Sequence, residues 1–203
     1  MSQPQASAAT RPGPPRLIIA PATRVAEPID FEVLPGDALG PRADRMRHAV
    51  ADVRLEVFVA EQQVPFIQEV DARDDAPTTI HVLARGADST PLGAGRLLLD
   101  PHHRGQVHLG RLAVRRVARG TGLGARLVAV LEASALEYAA APLKAQDAAR
   151  AGVAPGTPGV AVILSAQEQA MGFYERCGYQ VLTGVSYLDA GIAHQDMVRT
   201  LTR

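Results

Sequence analysis

The stretch Val107–Leu131, VHLGRLAVRRVARGTGLGARLVAVL, decides how this chain is read. It passes from a strand-like segment through a glycine-rich turn with flanking arginines into an amphipathic helix. That order builds an anion site, because backbone N–H groups at a helix N-terminus point outward and attract phosphate. The strand-like part carries an irregularity. Val107 and Leu109 fall on odd positions, Leu112 and Val114 on even ones. A regular strand would send one pair to the wrong face. One extra residue near Gly110 or Arg111 repairs the alternation, so a β-bulge is expected there. Leu123, Leu127, Val130, Leu131 and Tyr138 then recur as the buried stripe of the helix.

Outward from this stretch the chain looks like an ordinary globular protein. Its 203 residues suit one domain, and its formal net charge of zero gives no sign of a nucleic-acid or acidic-membrane partner. No run approaches the ~18 apolar residues of a membrane span. The single cysteine, Cys177, excludes an internal disulfide and fits a reducing cytosol, so a cytoplasmic location is expected. The start MSQPQASAATRPGPP lacks the apolar core of a secretory signal. Residues 1–28, rich in Pro, Ala, Ser and Thr, read as a flexible tail. Residues 29–203 read as the single domain.

Within that domain, Phe31 to Leu34 suggests a first strand. Met46, Val50, Val53 and Val57 give a helix from Arg42 to about Gln62, ended by Pro65. Glu69 to Pro77 is an acidic loop. Ile80–Ala84 and Leu92–Leu99, joined by a turn at Asp88–Pro91, suggest a hairpin. Residues 141–159, with three prolines and three glycines, read as an inserted surface loop with room for a short helical piece. Val160–Leu164 suggests a short buried strand. Ser165 with Glu168 fits a capping box opening a helix whose inner face is Ala166, Ala170, Phe173 and Cys177, closed by Gly178. Strands at Tyr179–Leu182 and about Ala193–Leu201 complete the set.

Gly120-Thr-Gly122-Leu-Gly124-Ala125 can be written as the dinucleotide fingerprint G-x-G-x-x-A. In that fold the first glycine follows its strand almost at once, and an acidic residue ends a second strand ~20 residues on. Here five residues intervene after Val114, and position 140 lies in an alanine run. A phosphate loop of the Lys-Ser/Thr type fails too, since no such pair follows the glycines. Arg119-Gly-Thr-Gly122-Leu-Gly124 instead fits R/Q-x-x-G-x-G/A, preceded by LGRLAV. Together with SAQEQAMGFYERCGY, this resembles the GNAT superfamily of acyl-CoA-dependent N-acetyltransferases. VFVAEQQVP, EVDARDD, the strand with His81 and GIAHQDM resemble its ElaA-like branch. The resemblance covers about residues 45–198.

The resemblance implies an α/β fold: a mixed, largely antiparallel sheet flanked by helices, with splayed strands at Gln106–Val114 and Val160–Leu164 forming an acetyl-CoA cleft. It implies that the backbone of Leu112, Ala113 and Val114 pairs with the pantetheine arm, and that the bulge offers an N–H to the thioester carbonyl. It gives the pyrophosphate to the amides of Arg119, Gly120, Thr121, Gly122, Leu123 and Gly124, with charge from Arg119 and from Arg115 or Arg116. Gln167 falls where many members carry an Asn that contacts the cofactor arm. Tyr174 is the implied acid for the coenzyme A sulfur, since a phenol is protonated at neutral pH.

An ammonium acceptor must lose a proton before it attacks. Glu69 and Asp71 lie in the acidic run EVDARDD, which by resemblance lines the acceptor side; Glu69 is the better base. Mutual repulsion in such a run can raise a carboxyl pKa or hold a cationic acceptor. His81 and His194 are further acceptor-side residues. His102 and His103 are adjacent in a turn with no ligand spacing, so no metal is expected. The expected activity is acetyl transfer from acetyl-CoA, as co-substrate, to a primary amine of a small molecule or peptide. A non-catalytic acyl-CoA-binding module is the rival reading, and an NAD(P)-binding oxidoreductase a weaker one. The resemblance leaves a homodimer open.

Overall fold

The structure, a computed structural model, describes residues 28–69 and 71–203. The expected tail falls outside them except for Pro28. One sheet of eight strands organises the fold. The strands are β1 (Asp30–Pro35), β2 (Thr79–Arg85), β3 (Pro91–Leu99), β4 (Gln106–Val114), β5 (Ala141–Pro142), β6 (Pro158–Gln167), β7 (Gln180–Asp189) and β8 (Ile192–Thr202). They run in the order β1-β2-β3-β4-β6-β8-β7, with β5 added beside β6. Every pairing is antiparallel except that of β4 with β6. The expected mixed, largely antiparallel sheet is present, and β2 and β3 form the expected hairpin.

Two helices cover the sheet's faces. The period of two along β2 sends Ile80, Val82 and Ala84 to one side and Leu83 to the other. The first side packs against α3 (Leu123–Ala139) through Leu127 and Leu131, both fully buried. Burying one such leucine contributes about 2–3 kcal/mol. The close approach needs glycine on β3: a Cβ on Gly95 would meet Leu131 Cδ1 at 2.6 Å. The other side packs against α1 (Pro41–Arg54) through Met46, Val50 and Val53. The expected α-helix to Gln62 stops at Arg54 and continues as a wider π-helical stretch, Leu55–Glu61. Tyr138 is exposed rather than on the stripe of α3, because Ala135 and Ala139 fill the packing positions there.

The parity break in β4 is real. Ala94 pairs with Ala113 but Arg96 pairs with Gly110, so two residues of β3 span three of β4. Val107 and Leu109 therefore share a face with Leu112 and Val114, while Ala113 turns to α1. Arg111 carries the extra step with φ +52.

Three expectations near the C-terminus change. β6 runs on to Gln167, so Ser165 sits in a strand opposite Asp196 and no capping box forms. A 3₁₀ turn, Glu168–Ala170, leads into α5, Met171–Arg176. β7 extends past Leu182 to Asp189. The 141–159 insertion holds the short helical piece the sequence allowed, α4 (Ala145–Ala151), but also β5, and it buries Leu143 and Ala148 rather than lying wholly on the surface.

Candidate active site

β4 and β6 pair only from Gln106 to Leu109 and from Ala161 to Leu164. Beyond that point they separate, and the edge of β4 from Gly110 to Val114 lies unpaired on the β6 side. The result is a cleft of about 280 Å³. Leu109 to Leu112 form one wall and Ser165, Gln167 and Tyr174 another. Phe58, Gln62 and Glu69 approach from the α1 side, and Asp189, Ile192 and His194 from the joined ends of β7 and β8. The cause is local: a bulge twists β4 away and leaves backbone polar groups outside the ladder.

The glycine turn lies at the end of the same strand. Arg116–Ala118 make one 3₁₀ turn, and Gly120 and Gly122 take φ +77 and +84. Gly122 opens α3 in the left-handed conformation without a side-chain cap, and the first backbone bond is from Arg126 N–H to Gly122 O at 3.2 Å. The N–H groups of Leu123 and Gly124 in the first turn thus have no intrahelical acceptor, which suits an anion. Gly124 packs closely under Phe173: a Cβ there would stand 3.3 Å from the ring. Thr121 Oγ1 donates to Ala118 O, 2.7 Å. The expected arginine charges are engaged elsewhere. Arg119 donates to Val114 O and to Glu61, 2.7 Å. Arg115 reaches Glu56 at 2.9 Å, and Arg116, mostly exposed, lies 3.8 Å from Glu61.

Tyr174 stands on α5 with its ring edge-on to Phe173 and Tyr179, at 5.0 and 5.8 Å between centroids. Burial raises its phenol above the ordinary range, helped by the Cys177 thiol nearby. It stays a proton donor at any physiological pH. Gln167 ends β6 and donates to Gln62 Oε1, 2.9 Å, joining the strand to the end of the π-helical stretch.

The acidic run is built differently from expectation. Glu69 ends α2 (Phe66–Glu69) and is buried, with one carboxylate oxygen on Arg54 Nε and the other 2.9 Å from Arg111 Nε. Asp71 caps the turn Ala72–Asp75 and binds Arg73 and Arg96; Asp74 binds Arg54, 2.9 Å, and Arg96, 2.7 Å. Arg73, joined by Arg96, holds the Asp71 carboxyl well below its usual range. Burial opposes the charge of Asp74, but Arg54 and Arg96 outweigh it and hold that carboxyl low too. Interleaved arginines replace the mutual repulsion that the sequence suggested. They also leave no net negative charge here to attract a cationic acceptor. Arg54 and Arg96 carry no local signal of this role, because residues 54, 74 and 96 are far apart in the chain and meet only in the fold.

Asp71 and His81 do not line the cleft. They border a second hollow of about 390 Å³ between α1 and the Ala72–Asp75 turn. His81 donates from Nε2 to Asp74 O, 2.8 Å, and burial lowers its pKa. His194 does line the cleft. It sits on β8 opposite Gln167, with Nδ1 2.8 Å from Ile192 O and its ring stacked on Tyr187 at 6.2 Å.

Comparison with known proteins agrees with this geometry. The family model described as "Acetyltransferase (GNAT) domain" matches residues 54–181. A Bacillus subtilis protein named as an uncharacterized N-acetyltransferase, YjcF, is 33% identical over 147 residues, which cover 72% of this chain and 87% of that one. Among solved structures, an acyl-CoA N-acyltransferase from Pseudomonas aeruginosa superposes with a TM-score of 0.62 at 32% identity, covering 85% of this chain and 99% of that one. Escherichia coli ElaA gives 0.64 at 25% identity, over 84% and 99%.

Proposed function

Because the chain belongs to the GNAT family and is an acyl-CoA-dependent N-acyltransferase, we propose that it moves an acetyl group from acetyl-CoA to a primary amine by direct attack. The observation that carries this reading is the unpaired edge of β4 running into the uncapped start of α3. An acyl-pantetheine arm pairs with Leu112, Ala113 and Val114 as an added strand, and the pyrophosphate takes the amides of residues 119–124. The bulge at Arg111 turns a backbone N–H toward the thioester carbonyl, where it stabilises the developing oxyanion. Gln167 borders the arm. Residues 29–203 act as one domain.

Three events make up the transfer. A neutral amine attacks the carbonyl carbon and a C–N bond forms. The C–S bond breaks, with its electron pair on sulfur. Tyr174 gives that sulfur a proton and recovers one from water, while the nitrogen, positively charged on forming the C–N bond, loses one proton to water. Support for Tyr174 is its place in the cleft wall and a hydroxyl that, among the described residues, no side chain hydrogen-bonds. Glu69, expected as the base, has both oxygens on arginines; its role in this reading is to fix Arg111 and thereby the bulge. The acceptor is a small-molecule or peptide amine. The balanced charge beside the bulge removes the reason to favour polyamines, and anionic or neutral amines belong equally in the screen.

The test is release of free coenzyme A thiol from acetyl-CoA with a panel of amines, with each product identified by its mass. An acetylated amine supports the reading. Tight acetyl-CoA binding with no product from any amine would favour a binding module instead.

A further inference from the structure

We infer that His194, held as the neutral Nδ1–H tautomer, is the general base that takes the ammonium proton of the acceptor. This rests on the acyl-transfer reading above. Nδ1 lies 2.8 Å from the Ile192 carbonyl oxygen. A carbonyl oxygen only accepts, so the hydrogen of neutral His194 is on Nδ1 and the lone pair is on Nε2. Among the described residues, Nε2 has no hydrogen-bond partner, although the side chain is nine-tenths buried and lines the cleft.

The ring is also locked in direction. It stacks on Tyr187 with 20° between planes. Tyr187 is in turn fixed by its hydroxyl, which donates to Asp196 Oδ1 at 2.6 Å and meets Ser165 Oγ. A buried imidazole with one nitrogen tied to the backbone and the other open to a cleft is arranged as a proton acceptor. The other ionisable groups of the cleft are less suited. Both Glu69 oxygens are on arginines. Asp189 is the exposed last residue of β7. His81 lies outside the cleft.

The proton balance is simple. R–NH3⁺ gives one proton to Nε2 and becomes R–NH2, which attacks the thioester. The addition product loses its second amine proton to water as the C–S bond breaks. The imidazolium returns its proton to water, and the sulfur is protonated from Tyr174. One proton is released per turnover.

Two measurements on the full chain test the assignment. Long-range ¹⁵N–¹H correlation spectra of the wild-type protein read the tautomer directly: Nδ1–H with a bare Nε2 is expected, and Nε2–H would overturn the proposal. The second is kcat/KM against pH with any amine that the wild type acetylates. Wild type should show a single-proton acid limb. His194→Gln should lose that limb and fall about 100-fold or more, while its melting temperature still rises with acetyl-CoA as in wild type. The charged and titratable groups around this cleft are Glu69 of α2, Arg111 of β4, Tyr174 of α5, and Tyr187 and Asp189 of β7. If Glu69→Gln or Asp189→Asn removes the limb and His194→Gln keeps it, the assignment is wrong. Absence of turnover in wild type with every amine defeats the acyl-transfer reading itself, and the base role with it. The tautomer result separates that failure from a mistaken geometry.

Discussion

At the residue scale the most telling side chain is Arg54. It enters the core from the last turn of α1 and ties together Glu69 and Asp74, two residues of the segment that follows. A buried ion pair is weak evidence of net stability, but removing one partner leaves the other charge stranded. Arg54→Ala should therefore cost about 3–5 kcal/mol in urea unfolding, because its partner Glu69 is buried as well. A loss under 1 kcal/mol would show that water repairs the gap. Tyr174 gives a contrasting case. Tyr174→Phe removes one oxygen from the cleft wall and leaves the ring packing intact. Thiol release should slow by about 100-fold or more with acetyl-CoA binding unchanged. An equal loss of binding would make Tyr174 a cofactor contact rather than an acid.

At the scale of elements, the acid turn predicts how stability follows pH. The Asp71 and Asp74 carboxyls are held low in the folded protein. The unfolded chain then binds more protons than the folded one in the acid range, so stability rises with pH there. These contributions are complete above the unfolded carboxyl value of about 4 and fade as pH falls through the folded values. His81 acts in the same direction at higher pH. Burial lowers its pKa, so its charge disfavours the fold once pH drops below the free-imidazole value of about 6.5. Urea midpoints from pH 2 to 8 should rise in two stages, and Asp71→Asn should flatten the lower one. The turn before α3 gives a further test. Gly122→Ala meets no atom within 4 Å, yet φ is +84. Its cost of about 1–2 kcal/mol should be purely conformational, and an unchanged midpoint would mean that the turn relaxes.

The same elements show what the sequence can and cannot reveal. The bulge was legible because Val107, Leu109, Leu112 and Val114 break a period of two, and local periodicity is written in the chain itself. The hairpin and the helix N-terminus were legible for the same reason. The capping box at Ser165 failed because tertiary pairing with Asp196 extended the strand past a local helix signal. The acidic run misled because, Arg73 apart, its neutralising arginines come from α1, β3 and β4. Nothing local identifies such partners.

Across the whole molecule, the insertion and the cleft lie at opposite ends of β6. β5 pairs with Pro158 and Gly159, whereas the cleft begins at Ser165. Six residue steps along the strand, from Gly159 to Ser165, separate them by roughly 20 Å. Replacing residues 144–157 by a short glycine-serine link should leave kcat within about twofold while lowering stability, because Ala148 leaves the core. The central claim is that the splayed strands and the start of α3 hold acetyl-CoA. The melting temperature with and without saturating acetyl-CoA tests it most directly, with NAD as control. Ligand at ~100 times its Kd stabilises by about 2.7 kcal/mol, which raises Tm by about 5–10 °C for a domain of this size. That rise with acetyl-CoA and none with NAD is the predicted result. No rise with acetyl-CoA would contradict the account.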